Sequence, residues 1–139
     1  MKRFLLFGVV GLSCAAFLGL GASIAQQGGD QRVAEVHHLM EGISKPHCSA
    51  LGKLLKAGPK SERDWQHAEL HAALLNELGF ILMQGGRCPD ATWAKAAAQL
   101  RAGSAAVYEA VQDQDVDAAR AAFKQVTRAC ATCHKAHRK

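Results

Sequence analysis

Apolar residues recur every three or four positions in four successive stretches of the chain, and proline, glycine or polar residues separate these stretches. Such spacing places the apolar side chains on one face of a helix, and no stretch shows the sustained alternation that is typical of a strand. The pattern therefore predicts an all-α protein. Because the connections are short, neighbouring helices are expected to run antiparallel, as an up-down four-helix bundle.

The first predicted helix carries apolar residues at Val33, Val36, Met40 and Ile43, and the pattern resumes at Leu51, Leu54 and Leu55 before Gly58-Pro59. Pro46 lies between these two groups. Proline lacks a backbone donor and its ring clashes with the preceding turn, so Pro46 is expected to kink or end the first helix.

Polar residues suited to an N-cap mark the start of two of the other three predicted helices. Ser61, with Asp64 in the capping-box position, precedes the second helix, which ends at Gly85-Gly86. The segment Cys88-Pro89-Asp90 opens the third helix, and Asp115 is the expected N-cap of the fourth. The apolar face of the fourth helix consists of Val116, Ala119, Phe123, Val126, Cys130, Cys133 and His137.

The end of this apolar face contains the sequence Cys130-Ala-Thr-Cys133-His134, which has the pattern of a c-type haem attachment site. On a helix the three residues lie at i, i+3 and i+4 and share one face. The two thiols are spaced to bond the two vinyl groups of one porphyrin, and His134 can reach the iron from the same side. The motif predicts one covalent haem c.

Two other readings of the motif are weaker. Cys130, Cys133, His134 and His137 nearly complete a tetrahedral zinc site, but adjacent residues are poorly arranged for zinc on a single helical turn. A thioredoxin-like dithiol opens a helix after a strand, whereas this motif closes the chain. Elsewhere, His67 and His71 lie at i and i+4 and could take up a metal adventitiously, although His47, His67 and His71 are most simply surface or supporting histidines.

The N-terminus has the form of a secretory signal peptide over residues 1–25. Lys2 and Arg3 precede an apolar stretch, and Ser23-Ile24-Ala25 is a small-x-small cleavage site. A membrane anchor is the alternative, but the glycines of the stretch and the cleavage site favour removal. Cys14 would leave with the peptide. Residues 26–139 would then form one domain in the periplasm, without stable membrane insertion.

Charge and cysteine content narrow the classes of function further. Loss of Lys2 and Arg3 with the signal peptide lowers the formal net charge from +5 to +3, which is only weakly basic. Basic residues are also not interleaved with aromatic ones, as they are in proteins that bind single strands. We therefore expect no nucleic-acid partner. Cys48 and Cys88 remain outside the motif. An oxidising compartment would favour a disulfide between them, while two buried thiols that never meet are the alternative.

A four-helix bundle with Cys130-x-x-Cys133-His134 near the end of its last helix resembles the class II cytochromes c, the cytochrome c′ family, over residues 31–139. The resemblance implies that both cysteines bind the haem and that His134 is the proximal iron ligand. It also implies a residue of the first helix on the distal side, where Met40 fits best and His37 is the rival. The chain differs from the family's pattern in three ways: Pro46 lies in the first helix, Cys48 and Cys88 are additional cysteines, and Val36 stands where a basic residue is common. These differences indicate a side branch of the family.

Family members with a distal methionine resemble low-spin electron-transfer proteins, and those with an apolar residue there are five-coordinate and bind NO or CO. We therefore expect outer-sphere electron transfer without catalytic residues, with gas binding as the alternative. The basic residues of the last helix complement its dipole and would also steer an acidic redox partner, with Arg138 the best candidate for a contact near the haem. The family often forms antiparallel dimers, so a homodimer is possible.

Overall fold

The chain from residue 32 to residue 138, which is the part described by the computed structural model, consists of helices and connecting loops and contains no strand in that range. The predicted signal peptide at 1–25, with Cys14, and the terminal Lys139 lie outside the described residues. Within the described range, no helix combines the length and the apolar character that a membrane crossing requires.

The first long helix is one continuous rod of three parts: α1 (Val36–Leu39), a π-helical segment (Met40–Ser44) and α2 (Lys45–Ala57). The residues at the two junctions, Leu39 and Lys45, keep right-handed helical dihedral angles. Of the two outcomes expected at Pro46, a kink or an end of the helix, the end is contradicted, because the helix continues through it. A proline cannot make the regular bond to the carbonyl four residues earlier. The wider hydrogen-bonding pattern of the π-helical segment precedes Pro46 and lets the rod continue.

The other three long helices are α3 (Glu62–Ile81), α4 (Ala91–Gln112) and α5 (Val116–His137). The predicted N-caps Ser61 and Asp115 are confirmed, and Asp90 is the N-cap of α4. The hydroxyl of Ser61 accepts a hydrogen bond from the backbone N–H of Asp64, which completes the capping box. Asp90 accepts from the N–H of Trp93, and Asp115 accepts from two N–H groups in the first turn of α5.

Hydrogen bonds between the helices show that the four rods pack in the antiparallel up-down order that the sequence predicted. The side-chain amide of Asn76 donates to the carbonyl of Arg101 at 2.8 Å, and the indole of Trp93 donates to the carbonyl of Leu82 at 2.9 Å, so α3 and α4 run in opposite directions. In α5, Arg120 donates to the carbonyl of Leu55 near the end of α2 at 2.8 Å. The last helix thus returns alongside the first rod.

The core consists of the apolar faces that the sequence pattern marked, including Leu51, Leu55, Leu75, Val107, Val111 and Val126, all of which are fully or almost fully buried. The helices α4 and α5 approach each other closely. A Cβ atom added to Gly103 would lie 3.1 Å from the backbone nitrogen of Val126. Small residues at this crossing let the two backbones come close together, and tight packing of this kind holds α5 firmly in place.

Leu75 lies at the centre of the core, and its truncation provides a test of the packing. The side chain is fully buried, so Leu75→Ala is expected to lower the free energy of unfolding by about 2–5 kcal/mol through lost burial and the cavity left behind. Chemical denaturation followed by circular dichroism measures the change. Leu70→Ala on the same helix is the matched control, because Leu70 is 52% exposed and should cost less than about 0.5 kcal/mol. Equal losses would contradict this core.

The predicted disulfide between Cys48 and Cys88 is absent, and all four cysteines of residues 32–138 are free thiols. Arg87, the neighbour of Cys88, donates to the carbonyl of Ala34, so Cys88 lies level with the start of the first rod. Cys48 follows Val36 by twelve residues, about three turns further along the rod. The two cysteines therefore lie at different levels of the bundle, whereas a disulfide requires Cα atoms within about 7 Å of each other.

Candidate functional site

The motif cysteines lie where the buried face of α5 reaches the end of the bundle. Along this face, Ala119, Ala122, Val126 and Ala129 are buried in the core. Cys130 and Cys133 continue the same face and are half-buried, packed against the core. Asp115 fixes the start of the helix, and the antiparallel packing against α4 fixes its rotation. The local fold therefore turns both thiols inward.

Both thiols border a small cavity of about 30 Å³ between α5, α4, the end of α3 and the π-helical segment. This volume is well below the range of about 300–1,000 Å³ that is typical of ligand pockets, so the wall would have to open to admit a large group. The wall is almost entirely apolar and is formed by Met40, Ser44, Leu78, Leu82, Trp93, Ala96, Ala97, Leu100, Ala129, Cys130, Cys133 and His134.

Three small side chains on facing helices contribute to this cavity. Ala96 and Ala97 of α4 and Ala129 of α5 are buried and line it. Large apolar side chains, Leu78, Leu82, Trp93 and Leu100, form most of the remaining wall. Native cores leave few voids, so a gap beside two thiols is a candidate place for a group bound through them.

Met40 and His134, the two predicted iron ligands, both line this cavity. Met40 is the first residue of the π-helical segment, and its side chain packs against the core. His134 lies on α5 directly after Cys133 and is the more exposed of the two. The structure therefore brings two thiols, one imidazole and one thioether, from two different rods, to a single apolar space.

His37 and Arg138, by contrast, lie outside the wall of the cavity. The exposed ring of His37 packs near that of His38, with centroids 5.9 Å apart. Arg138 is exposed at the end of α5. The pKa of the Glu41 carboxyl is lowered mainly by the hydrogen bond from Lys45, and the charge of Arg138 lowers it further, which places Arg138 near Glu41.

Trp93 contributes to the site in a way that the sequence pattern did not reveal. It lines the cavity, and its indole N–H donates to the carbonyl of Leu82, so this polar group needs no partner inside the cavity. Its ring meets the edge of the His137 ring at 5.3 Å between centroids, and His137 Nε2 lies 3.5 Å from Asp90 Oδ1. In the sequence, only the position of Trp93 just after the start of α4 indicated that it lies at the same end of the bundle as the motif.

Burial keeps the motif thiols uncharged at neutral pH. It raises the pKa of Cys130 to about 11, with smaller contributions from the neighbouring Cys48 and Cys133. Burial also raises the pKa of Cys133, and the carboxylate of Asp90 adds to this effect. Each thiol is therefore held as S–H beside the cavity, unlike the ionised thiols of redox-active dithiols.

The alkylation of Cys130 in the haem-free chain is expected to be slow and strongly dependent on pH. The thiolate is the nucleophile, and with a pKa of about 11 only about one thiol in a thousand is ionised at about pH 8. The rate with iodoacetamide should rise about tenfold per pH unit until pH approaches that pKa. Mass spectrometry of the labelled peptide measures it, with the guanidinium-unfolded chain as control. Equal rates in the two states would contradict the buried thiol.

Among residues 32–138, no three histidine, cysteine, aspartate or glutamate side chains are arranged so that they could hold a metal ion as they stand. The chain matches no protein-family model, no curated protein and no solved structure. Inference of a function therefore depends on the chemistry of the residues around the cavity.

Proposed function

We propose that the protein is an exported, periplasmic electron-transfer protein that carries one haem c bound through Cys130 and Cys133. The observation that carries this proposal is the position of the motif: Cys130, Cys133 and His134 line one apolar cavity together with Met40. The donor groups suit the cofactor in kind. Two thiols one helical turn apart match the two vinyl groups, and imidazole and thioether are established axial ligands of haem iron.

The residues around the cavity would perform distinct tasks. Cys130 and Cys133 would anchor the cofactor covalently, and His134 and Met40 would supply axial nitrogen and sulfur from two different helices. When bound, the haem supplies one-electron oxidation and reduction at its iron. Leu78, Leu82 and Trp93 would exclude water, and a dry site with fixed ligands keeps the reorganisation small when the charge changes.

The surface of α5 supports a role in meeting a redox partner. Four basic residues are exposed along α5 and at its C-cap, and the last two lie at the end of the bundle where the cavity lies: Lys124, Arg128, Lys135 and Arg138. Positive charge around an opening raises the rate of encounter with an acidic protein. No side chain needs to act as a catalytic residue in this function, because the protein binds and tunes the cofactor.

Absorption spectra of the protein, produced in an export host with the haem-attachment machinery, test the proposal. Haem that remains bound after denaturation would support covalent attachment. Sharp α and β bands after reduction with dithionite would indicate a low-spin iron with two protein ligands, as electron transfer requires. A broad visible band that shifts with CO would indicate an open site and the gas-binding function instead. Protein without any Soret band would overturn both functions.

A further inference from the structure

Two histidines on different helices contact each other on the flank of the bundle, away from the cavity. His47 lies in the first turn of α2 and His71 in the middle of α3. Their Nδ1 atoms are 2.9 Å apart, and their ring centroids are separated by 5.1 Å with the planes inclined by 48°. Both side chains are half-buried. One Nδ1–H donates to the other Nδ1, so at least one ring is neutral.

A third imidazole stands beside this pair. His67 precedes His71 by four residues on α3, so the two side chains share a helix face with Cβ atoms about 5–6 Å apart. The spacing His-x-x-x-His is the one by which a single helix offers two nitrogen ligands to zinc. His67 is exposed, so its ring is free to turn towards His71.

We propose that His47, His67 and His71 form a binding site for a divalent transition-metal ion of the Zn²⁺ or Ni²⁺ type that bridges α2 and α3. Imidazole is a ligand that suits these ions. Zinc binds imidazole nitrogen at about 2.0–2.1 Å, so two nitrogens of a tetrahedral site lie about 3.3 Å apart. The present separation of 2.9 Å needs only a small rotation of the rings to reach that value.

The surroundings of His71 favour a metal over a proton. Burial lowers the pKa of His71, and the neighbouring His47 and His67 lower it further. A histidine must be deprotonated to bind a metal, and the contact between His47 and His71 meets this condition, because the Nδ1 that accepts the hydrogen bond carries no proton. Three histidine ligands leave one position for water, and the site is independent of the haem proposed above.

Isothermal titration calorimetry with Ni²⁺ on the mature chain without an affinity tag tests the proposal. We expect one strong site in the wild type. Loss of a residue that only supports a metal ligand typically lowers metal affinity by roughly 10- to 100-fold, and loss of a ligand itself should cost at least as much. Each of the variants His47→Ala, His67→Ala and His71→Ala should therefore bind Ni²⁺ at least about tenfold more weakly than the wild type. His38→Ala is the matched control, because His38 is exposed on α1, and it should bind like the wild type.

His47→Ala is the decisive variant, since it leaves the pair on α3 intact. Wild-type affinity in His47→Ala or His71→Ala would overturn the bridging site, and wild-type affinity in His67→Ala would overturn the three-imidazole site. An equal loss in His38→Ala would show unspecific binding and overturn the proposal as well. His71 is half-buried, so its replacement by alanine also changes the packing. The titration is therefore repeated with His71→Gln, and thermal unfolding followed by circular dichroism establishes that each variant is folded.

Discussion

Replacing Cys130 and Cys133 together by alanine is expected to abolish covalent haem attachment completely. The two thiols lie one helical turn apart and border the same apolar cavity, so no other pair of residues can form both thioether bonds there. Each thiol would hold the haem by adding its S–H group across one vinyl group, with the sulfur on one carbon and the hydrogen on the other. Haem staining and mass spectrometry of the denatured protein measure the loss.

The matched control for this experiment is the variant in which Cys48 and Cys88 are both replaced by alanine. These two thiols are also half-buried, but neither lines the cavity. The control should therefore retain one haem per chain, and its stability should change only by the small packing losses of two half-buried side chains. Retention of covalent haem by the Cys130/Cys133 variant would contradict the proposed attachment, as would loss of haem in the control.

The sequence predicted the fold well, because the information that specifies helices in this chain is local. The three- and four-residue spacing of apolar positions identified the faces that are buried, and Ser61, Asp90 and Asp115 cap the helices that were expected to begin there. Capping depends on a side chain and a backbone group three residues apart, so it can be recognised without knowledge of the tertiary structure.

The first rod shows where this local information ends. Pro46 predicts an interruption, but a helix can also respond by changing its hydrogen-bonding pattern, as the π-helical segment before Pro46 does. The distance between Cys48 and Cys88 likewise depends on how far one rod extends beside another. An even number of cysteines carries no information about that distance.

The cavity could be predicted only in part. The motif and Met40 were recognised as candidate ligands, but the cavity beside them is bordered by side chains of several helical segments that meet only in the folded bundle. Likewise, the contact between His47 and His71 joins residues 24 positions apart, and their separate positions in the sequence gave no sign of it.

Replacing Met40 by alanine is expected to convert the haem-loaded protein from a low-spin to a high-spin form that binds CO. Met40 comes from the first rod, whereas the motif lies on α5, and its thioether lines the same cavity. Without Met40, the motif residues are the only sulfur or nitrogen ligands left in the cavity wall. The thioether raises the reduction potential of haem iron, so its loss should also lower the potential. Absorption spectra with and without CO, and a redox titration, measure these changes.

Met83→Ala is the matched control, because Met83 is 38% exposed beyond the end of α3 and does not line the cavity. It should keep the low-spin spectrum of the wild type. A Met40→Ala protein that stays low-spin would show that another residue binds the iron, and His37, which is exposed on α1, would then have to turn inwards. Such a movement requires α1 to shift against the bundle, and the double variant His37→Ala/Met40→Ala would then become high-spin. The pair of variants therefore decides which residue of the first rod sets the coordination of the iron.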